Sequence, residues 1–143
     1  MQTAAPPASR IVAAVDPGHA VVRLFDACAP ELFALALAVS GDADAAEAAV
    51  FDAFAAAMDL PAPPTRAAMA MRVRTAALAR APVERAGAAR GADGERCAVE
   101  LACYARLTVA EIAAELGIPP GEVMRRLSAG LRSLARTPAM AAG

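Results

Sequence analysis

The chain contains no tryptophan, one tyrosine and four phenylalanines, which excludes a core built around large aromatic rings. Lysine is absent, so all 14 basic residues are arginine; this reflects GC-rich codon usage more than mechanism. Histidine occurs once, at His19, near an expected helix start. No Ser/His/Asp or metal-ligand constellation accompanies it, so a helical enzyme is disfavoured and no cofactor or metal is expected. Cys28, Cys97 and Cys103 are odd in number and lack CxxC spacing, which argues against a disulfide framework or a zinc site. All three read as small buried hydrophobes. No span of 18 apolar residues is free of charge and proline, and no basic segment leads into an apolar one. The expectation is a cytoplasmic chain with no membrane partner.

What is present points to helices. Hydrophobic residues make up 58% of the chain, and most are alanine, the strongest helix former. No alternation of β-branched residues marks a strand, so the fold class expected is all-α. A length of 143 residues allows one compact domain or two very small ones. The net charge of −1 hides an asymmetry: residues 1–60 hold two Arg against eight acids, residues 61–90 six Arg against one, and residues 91–143 six against six. The Arg-rich middle suits non-specific phosphate contact, with Arg72, Arg74 and Arg80 as candidates. It equally suits holding the acidic N-terminal part of the same chain.

The periodicity predicts a helix over residues 19–28 with Val21, Leu24, Phe25 and Cys28 on one stripe. A second helix starts at Pro30 and ends at Gly41. Asp44 and Glu47 have capping-box spacing for a helix reaching Met58. The run Pro61-Ala-Pro-Pro64 breaks the chain. A helix from Thr65 to Ala81 stops at Pro82, and a Gly- and Ala-rich linker follows to Gly94. Three more helices are expected over residues 95–105, 108–116 and 120–136.

The last two read as a helix-turn-helix. Thr108 and Glu111 have capping-box spacing, Gly117 supplies a left-handed C-cap, and Pro120 suits the first position of the next helix. Val123, Leu127, Leu131 and Leu134 form its expected buried stripe, while Arg125, Arg126 and Arg132 fall largely on other faces. In a DNA-binding helix-turn-helix, residues near the N-terminus of the second helix read base edges. Three helices at such angles also occur in proteins that never touch nucleic acid.

Residues 107–127 resemble region 4 of bacterial RNA polymerase sigma factors of the extracytoplasmic-function group. The matching positions are Leu107, Thr108, Glu111, Ile112, Ala113, Leu116, Gly117, Ile118, Gly121, Val123, Arg126 and Leu127. The resemblance implies promoter DNA as a partner and Glu122, Met124, Arg125, Arg126 and Arg132 as the residues facing it. Glu122 stands where the family has Thr, and Met124 where it has Lys. A carboxylate there complements the helix dipole but repels phosphate, and can accept only from a base amino group such as cytosine's.

Residues 19–58 resemble sigma region 2, through Leu24, Phe25, Ala29, Pro30, Leu32, Phe33, Leu35, Ala36, Gly41, Asp42, Ala46, Glu47, Asp52 and Phe54. The order of the two resemblances implies a flexible tail over residues 1–18, a region 2-like module over 19–81, a linker over 82–94, a region 4-like module over 95–137 and a tail over 138–143. It also implies that Glu47, Ala48, Phe51 and Asp52 face RNA polymerase core or another protein partner. Grooves lined by Leu24, Phe33, Phe51 and Leu131 would take that partner's helices. Ala48 and Phe51 replace an Asp and a Gln that grip the polymerase clamp in the family, and Met58 replaces a Trp. Residues 71–80 carry Arg but no aromatic, Asn or Asp, the side chains that capture a flipped base when promoter strands open. The expected function is a sigma factor-like regulator that binds promoter DNA and polymerase core. The alternatives are a degenerate sigma mimic that occupies an anti-sigma factor, or a DNA-binding regulator that works without polymerase.

Overall fold

The computed structural model describes residues 16–91 and 93–136. Among them are seven helices and no strand, so the protein is all-α: α1 (Pro17–Ser40), α2 (Ala43–Ala57), α3 (Arg66–Arg80), α4 (Val83–Gly91), α5 (Asp93–Cys103), α6 (Val109–Leu116) and α7 (Pro120–Arg136). None is long and apolar enough to cross a membrane. Of the expected tails over 1–18 and 138–143, residues 1–15 and 138–143 lie outside the described residues, while Asp16 is the N-cap of α1 and Pro17 and Gly18 belong to it.

Helix α1 corrects the expectation of two helices meeting at Pro30. It runs unbroken for 24 residues with Pro30 inside it. Proline cannot donate to the carbonyl four residues back, which ordinarily ends or kinks a helix. Here Val21, Cys28, Leu32, Leu35, Ala36 and Val39 are all buried and recur at helical spacing on both sides of Pro30. The two halves bury one stripe in phase, and that shared burial carries the helix through the missing bond. Gly41 then ends it in the left-handed conformation (φ 77°), its N–H bonded to the Leu37 carbonyl.

Helix α2 begins two residues before the expected position. Its cap is Asp42, whose carboxylate accepts from the Ala45 N–H at 2.8 Å. Asp44 falls in the first turn, where its charge favours the helix dipole. Ala46, Ala49, Ala53 and Ala57 are buried along the face shared with Val50 and Phe54. These small side chains let α1, α2 and α3 pack closely on one another. Helix α3 opens on Thr65, whose hydroxyl accepts from the Ala68 N–H.

The segment expected as a linker is largely the helix α4, followed almost at once by α5. Arg85 on α4 bonds the Ala38 carbonyl of α1 at 2.9 Å, which holds α4 against the N-terminal helices. Helices α5, α6 and α7 form the C-terminal cluster, and α6 also touches α3. One apolar core runs through both halves, from Leu32, Leu35 and Met69 to Leu101, Ile112 and Val123. Cys28 and Cys97 are buried as expected, and burial pushes the Cys28 thiol above its ordinary pKa. Cys103, the last residue of α5, is instead exposed.

Candidate nucleic-acid interface

The turn that sets the interface is built from local chemistry. The Thr108 hydroxyl accepts from the Glu111 N–H at 3.1 Å, and the Glu111 carboxylate accepts from the Thr108 N–H at 2.9 Å. This closed capping box starts α6 and holds the Glu111 carboxyl below the usual carboxylate range, chiefly through the Thr108 backbone N–H. Gly117 (φ 67°) ends α6, with its N–H on the Ala113 carbonyl. Ile118, half-buried, packs against the core at the bend, and Pro120 is the first residue of α7. All four features follow from the sequence pattern.

Arg66, the first residue of α3, clamps the other end of this unit. Its guanidinium donates to the carbonyls of Ala105 (2.9 Å) and Arg106 (3.1 Å) and to the Glu111 carboxylate (3.1 Å). Arg106 has φ 61°, a conformation that costs an L-residue roughly 1–2 kcal/mol. The clamp holds the chain in that conformation and fixes where α6 begins.

Arg74 is a correction to the expected phosphate contacts. It is 4% exposed on α3, and its Nε donates to the equally buried Glu100 of α5 at 2.8 Å. Arg96 donates to the second Glu100 oxygen at 3.1 Å. A guanidinium already spent inside the protein cannot meet a phosphate; it ties the two halves together instead. Arg80 is exposed but paired with Asp52 of α2, the arrangement in which the Arg-rich middle holds the acidic N-terminal part of the chain. Arg72 is exposed on the same helix.

Helix α7 meets α5 through Gly130. A Cβ at Gly130 would lie 2.6 Å from the Val99 side chain and 3.0 Å from the Glu95 carbonyl oxygen. Only glycine permits this approach. Val123 and Gly130 are the buried residues of α7, and Leu127 is half-buried. The expected stripe through Leu131 and Leu134 is therefore corrected: they are 50% and 60% exposed. A helix turns about 100° per residue, so contact at position 130 swings Leu131 to the flank.

The opposite face of α7 carries Gly121, Met124, Arg125, Ser128 and Arg132, all exposed. At its N-terminal end, Glu122 is held by both neighbouring arginines. Arg125 grips it in two places, Nε to Oε1 at 2.9 Å and Nη2 to Oε2 at 2.6 Å. Arg126 Nε donates to Oε2 at 2.9 Å. These bonds, Arg125 first, pull the Glu122 carboxyl down to about 2 and raise the Arg125 guanidinium above its ordinary value. The five residues expected to face DNA thus lie on one helix, but Arg125 and Arg126 are not free.

Residues 93–134 match the family model for sigma-70, region 4. The similarity to that family covers under a third of the chain. The match covers α5, α6 and most of α7, and so includes the capping box, the Gly117 turn and the Glu122 cluster. No curated protein and no solved structure matches the chain.

A groove of about 280 Å³ lies between α1 and α2, lined by Val21, Val22, Phe25, Phe51, Phe54, Ala55 and Met58. Phe25 and Phe54 meet edge to face at 5.1 Å. Phe51 stands over the groove 68% exposed. Of the residues expected to line partner-binding grooves, this one takes only Phe51; Leu24 and Phe33 pack against the core. Glu47 is exposed beside it and Ala48 half-buried. The region 2 resemblance names Phe51 as partner-facing; the groove itself needed the pairing of α1 with α2.

Proposed function

We propose that this sigma-factor-like protein binds promoter DNA through α7 and RNA polymerase core through the N-terminal helices. Residues 95–137 would act as the DNA-facing module and residues 19–81 as the polymerase-facing one. Glu122, Met124, Arg125 and Arg132 are the proposed DNA-facing side chains, with Arg126 behind them and Arg72 and Arg80 near phosphate. Glu47, Ala48, Phe51 and Asp52 are the proposed polymerase-facing set. The observation that carries the reading is the sigma-70 region 4 match over residues 93–134, with arginines on the exposed helix of its helix-turn-helix.

A specific observation favours a second reading, in which the protein mimics a sigma factor and occupies an anti-sigma factor. Phe51 is an exposed apolar side chain beside an apolar groove, where the region 2 resemblance implies a hydrogen-bonding amide. A partner's polar group facing Phe51 is left unsatisfied, at a cost of about 1–3 kcal/mol. Binding of the purified chain to core polymerase, followed by promoter-specific transcription, separates the two. A working sigma factor binds and initiates unmodified. A mimic binds core weakly, and Ala48→Asp with Phe51→Gln strengthens that binding. Failure of both chains to bind core rejects the polymerase-facing role.

A further inference from the structure

We infer that Glu122 is a base-reading residue that selects a cytosine–guanine pair, with Arg125 beside it as the complementary donor and Arg126 as its positioning residue. The inference rests on the reading that α7 enters the major groove. Glu122 is the third residue of α7, in the stretch from which a recognition helix reads base edges. An ionised carboxylate offers roughly four acceptor directions. The two arginines fill three, two on Oε2 and one on Oε1, which leaves an acceptor direction open on Oε1. The cluster of one carboxylate and two guanidiniums carries a net positive charge, so Glu122 approaches DNA without the repulsion a lone carboxylate meets.

Its geometry is also set in advance. Arg126 is folded back against Gly94, where an added Cβ would lie 3.2 Å from its Nη1, and its side chain is 26% exposed against 61% for Arg125. The missing side chain at Gly94 makes room for the guanidinium that holds Glu122 from behind. Arg125 bonds Glu122 through Nε and Nη2, which leaves Nη1 outside that pair, and it lies on the exposed face. Glu122 and Arg125 thus present an acceptor beside a donor. In the major groove a C·G pair presents the cytosine amino donor beside the guanine O6 and N7 acceptors. In a T·A pair the adenine amino is flanked by acceptors on both sides, thymine O4 and adenine N7, which repel a carboxylate. The cytosine amino has an acceptor on one side only, the side that Arg125 takes.

The test is selection of sites from a random duplex DNA library by the full chain and by its Glu122→Ala, Glu122→Gln and Arg126→Met variants. The parent should enrich a C·G pair at one position, preferred about tenfold over other pairs in competition. Glu122→Ala should lose that preference alone, while its non-specific affinity rises and its salt dependence steepens because two guanidiniums are released. Glu122→Gln should shift the position towards adenine, which a side-chain amide matches. Arg126→Met keeps the aliphatic stem and should blur the same position only. If Glu122→Ala gains affinity but keeps every base preference of the parent, or if the parent binds without base preference, Glu122 is a neutralising residue and the inference fails. If the folded parent binds no duplex at low salt, the DNA-binding reading of α7 fails with it.

Discussion

The N-terminal helices α1–α3 pack through small residues, with Ala36, Ala46, Ala49, Ala53, Ala57, Ala67, Ala70 and Ala77 all buried among them. The C-terminal helices α5–α7 are instead positioned by individual polar groups and turns: the Thr108–Glu111 box, the Gly117 cap, the Arg66 clamp and the close approach at Gly130. An alanine interface is tolerant of which partner it meets, because its surfaces are small and smooth. A turn set by caps and hydrogen bonds admits few arrangements. The half proposed to present side chains to DNA is the half whose backbone is individually held. The other half leaves its large apolar groups, Phe51 above all, on the surface.

The contrast is broken most severely at the junction of the two halves. Arg74→Ala leaves Glu100 buried with part of its pairing lost, and loss of one partner of a buried ion pair costs about 3–5 kcal/mol. Urea unfolding followed by circular dichroism should show one transition at lower midpoint for the whole chain. Two separated transitions would mean the halves are stable apart. The paired replacement Arg74→Leu with Glu100→Leu should recover part of the loss, although Arg96 then loses its bond to Glu100.

Gly130→Val tests the close approach of α7 to α5. The added Cβ meets Val99 and the Glu95 backbone, and such overpacking costs about 1–3 kcal/mol. Gly130→Ala should cost less, because alanine gains about 1 kcal/mol of helix propensity over glycine. Thermal unfolding that ranks Val above parent would show that the helices can simply move apart. Thr108→Ala removes the hydroxyl of the capping box and should cost about 1 kcal/mol. Thr65→Ala makes the matching change at α3, so the two variants compare the halves directly.

The smallest effect concerns pH. Glu122 has its carboxyl depressed in the folded protein, so its pairing contributes fully above its ordinary value of 4.5 and is lost as pH falls towards about 2. Because the group is exposed, stability should change little across that window, but nuclear magnetic resonance titration of its side chain should place its midpoint near 2. A midpoint near 4.5 would show that the arginines do not hold it in solution.

Local signals account for what could be read in advance. The bounds of α6 and the start of α7 follow from Thr108, Glu111, Gly117 and Pro120, each acting within a turn of its own position. The region 4 match over residues 93–134 spans these same positions. The local pattern favoured Asp44 as the cap of α2, while the structure uses Asp42, two residues earlier. Propensity and spacing favoured a new helix starting at Pro30; the in-phase burial of Val21, Cys28 and Leu32 makes one helix of the two.

The sequence by itself therefore determined the helical class, the helix-turn-helix and the residues placed along α7, because caps, glycine turns and 3.6-residue periodicity act over a few residues. Tertiary structure alone decided which arginines of α3 remain available to a ligand, whereas Arg125 and Arg126 meet Glu122 at local helical spacing. Arg74 is spent on Glu100, 26 residues away, and Arg66 on Ala105, Arg106 and Glu111, some 39 to 45 residues away. It also decided that Gly130, and not Leu131, faces α5. A guanidinium's partner and a helix's rotation depend on what another helix brings alongside, and no local pattern carries that.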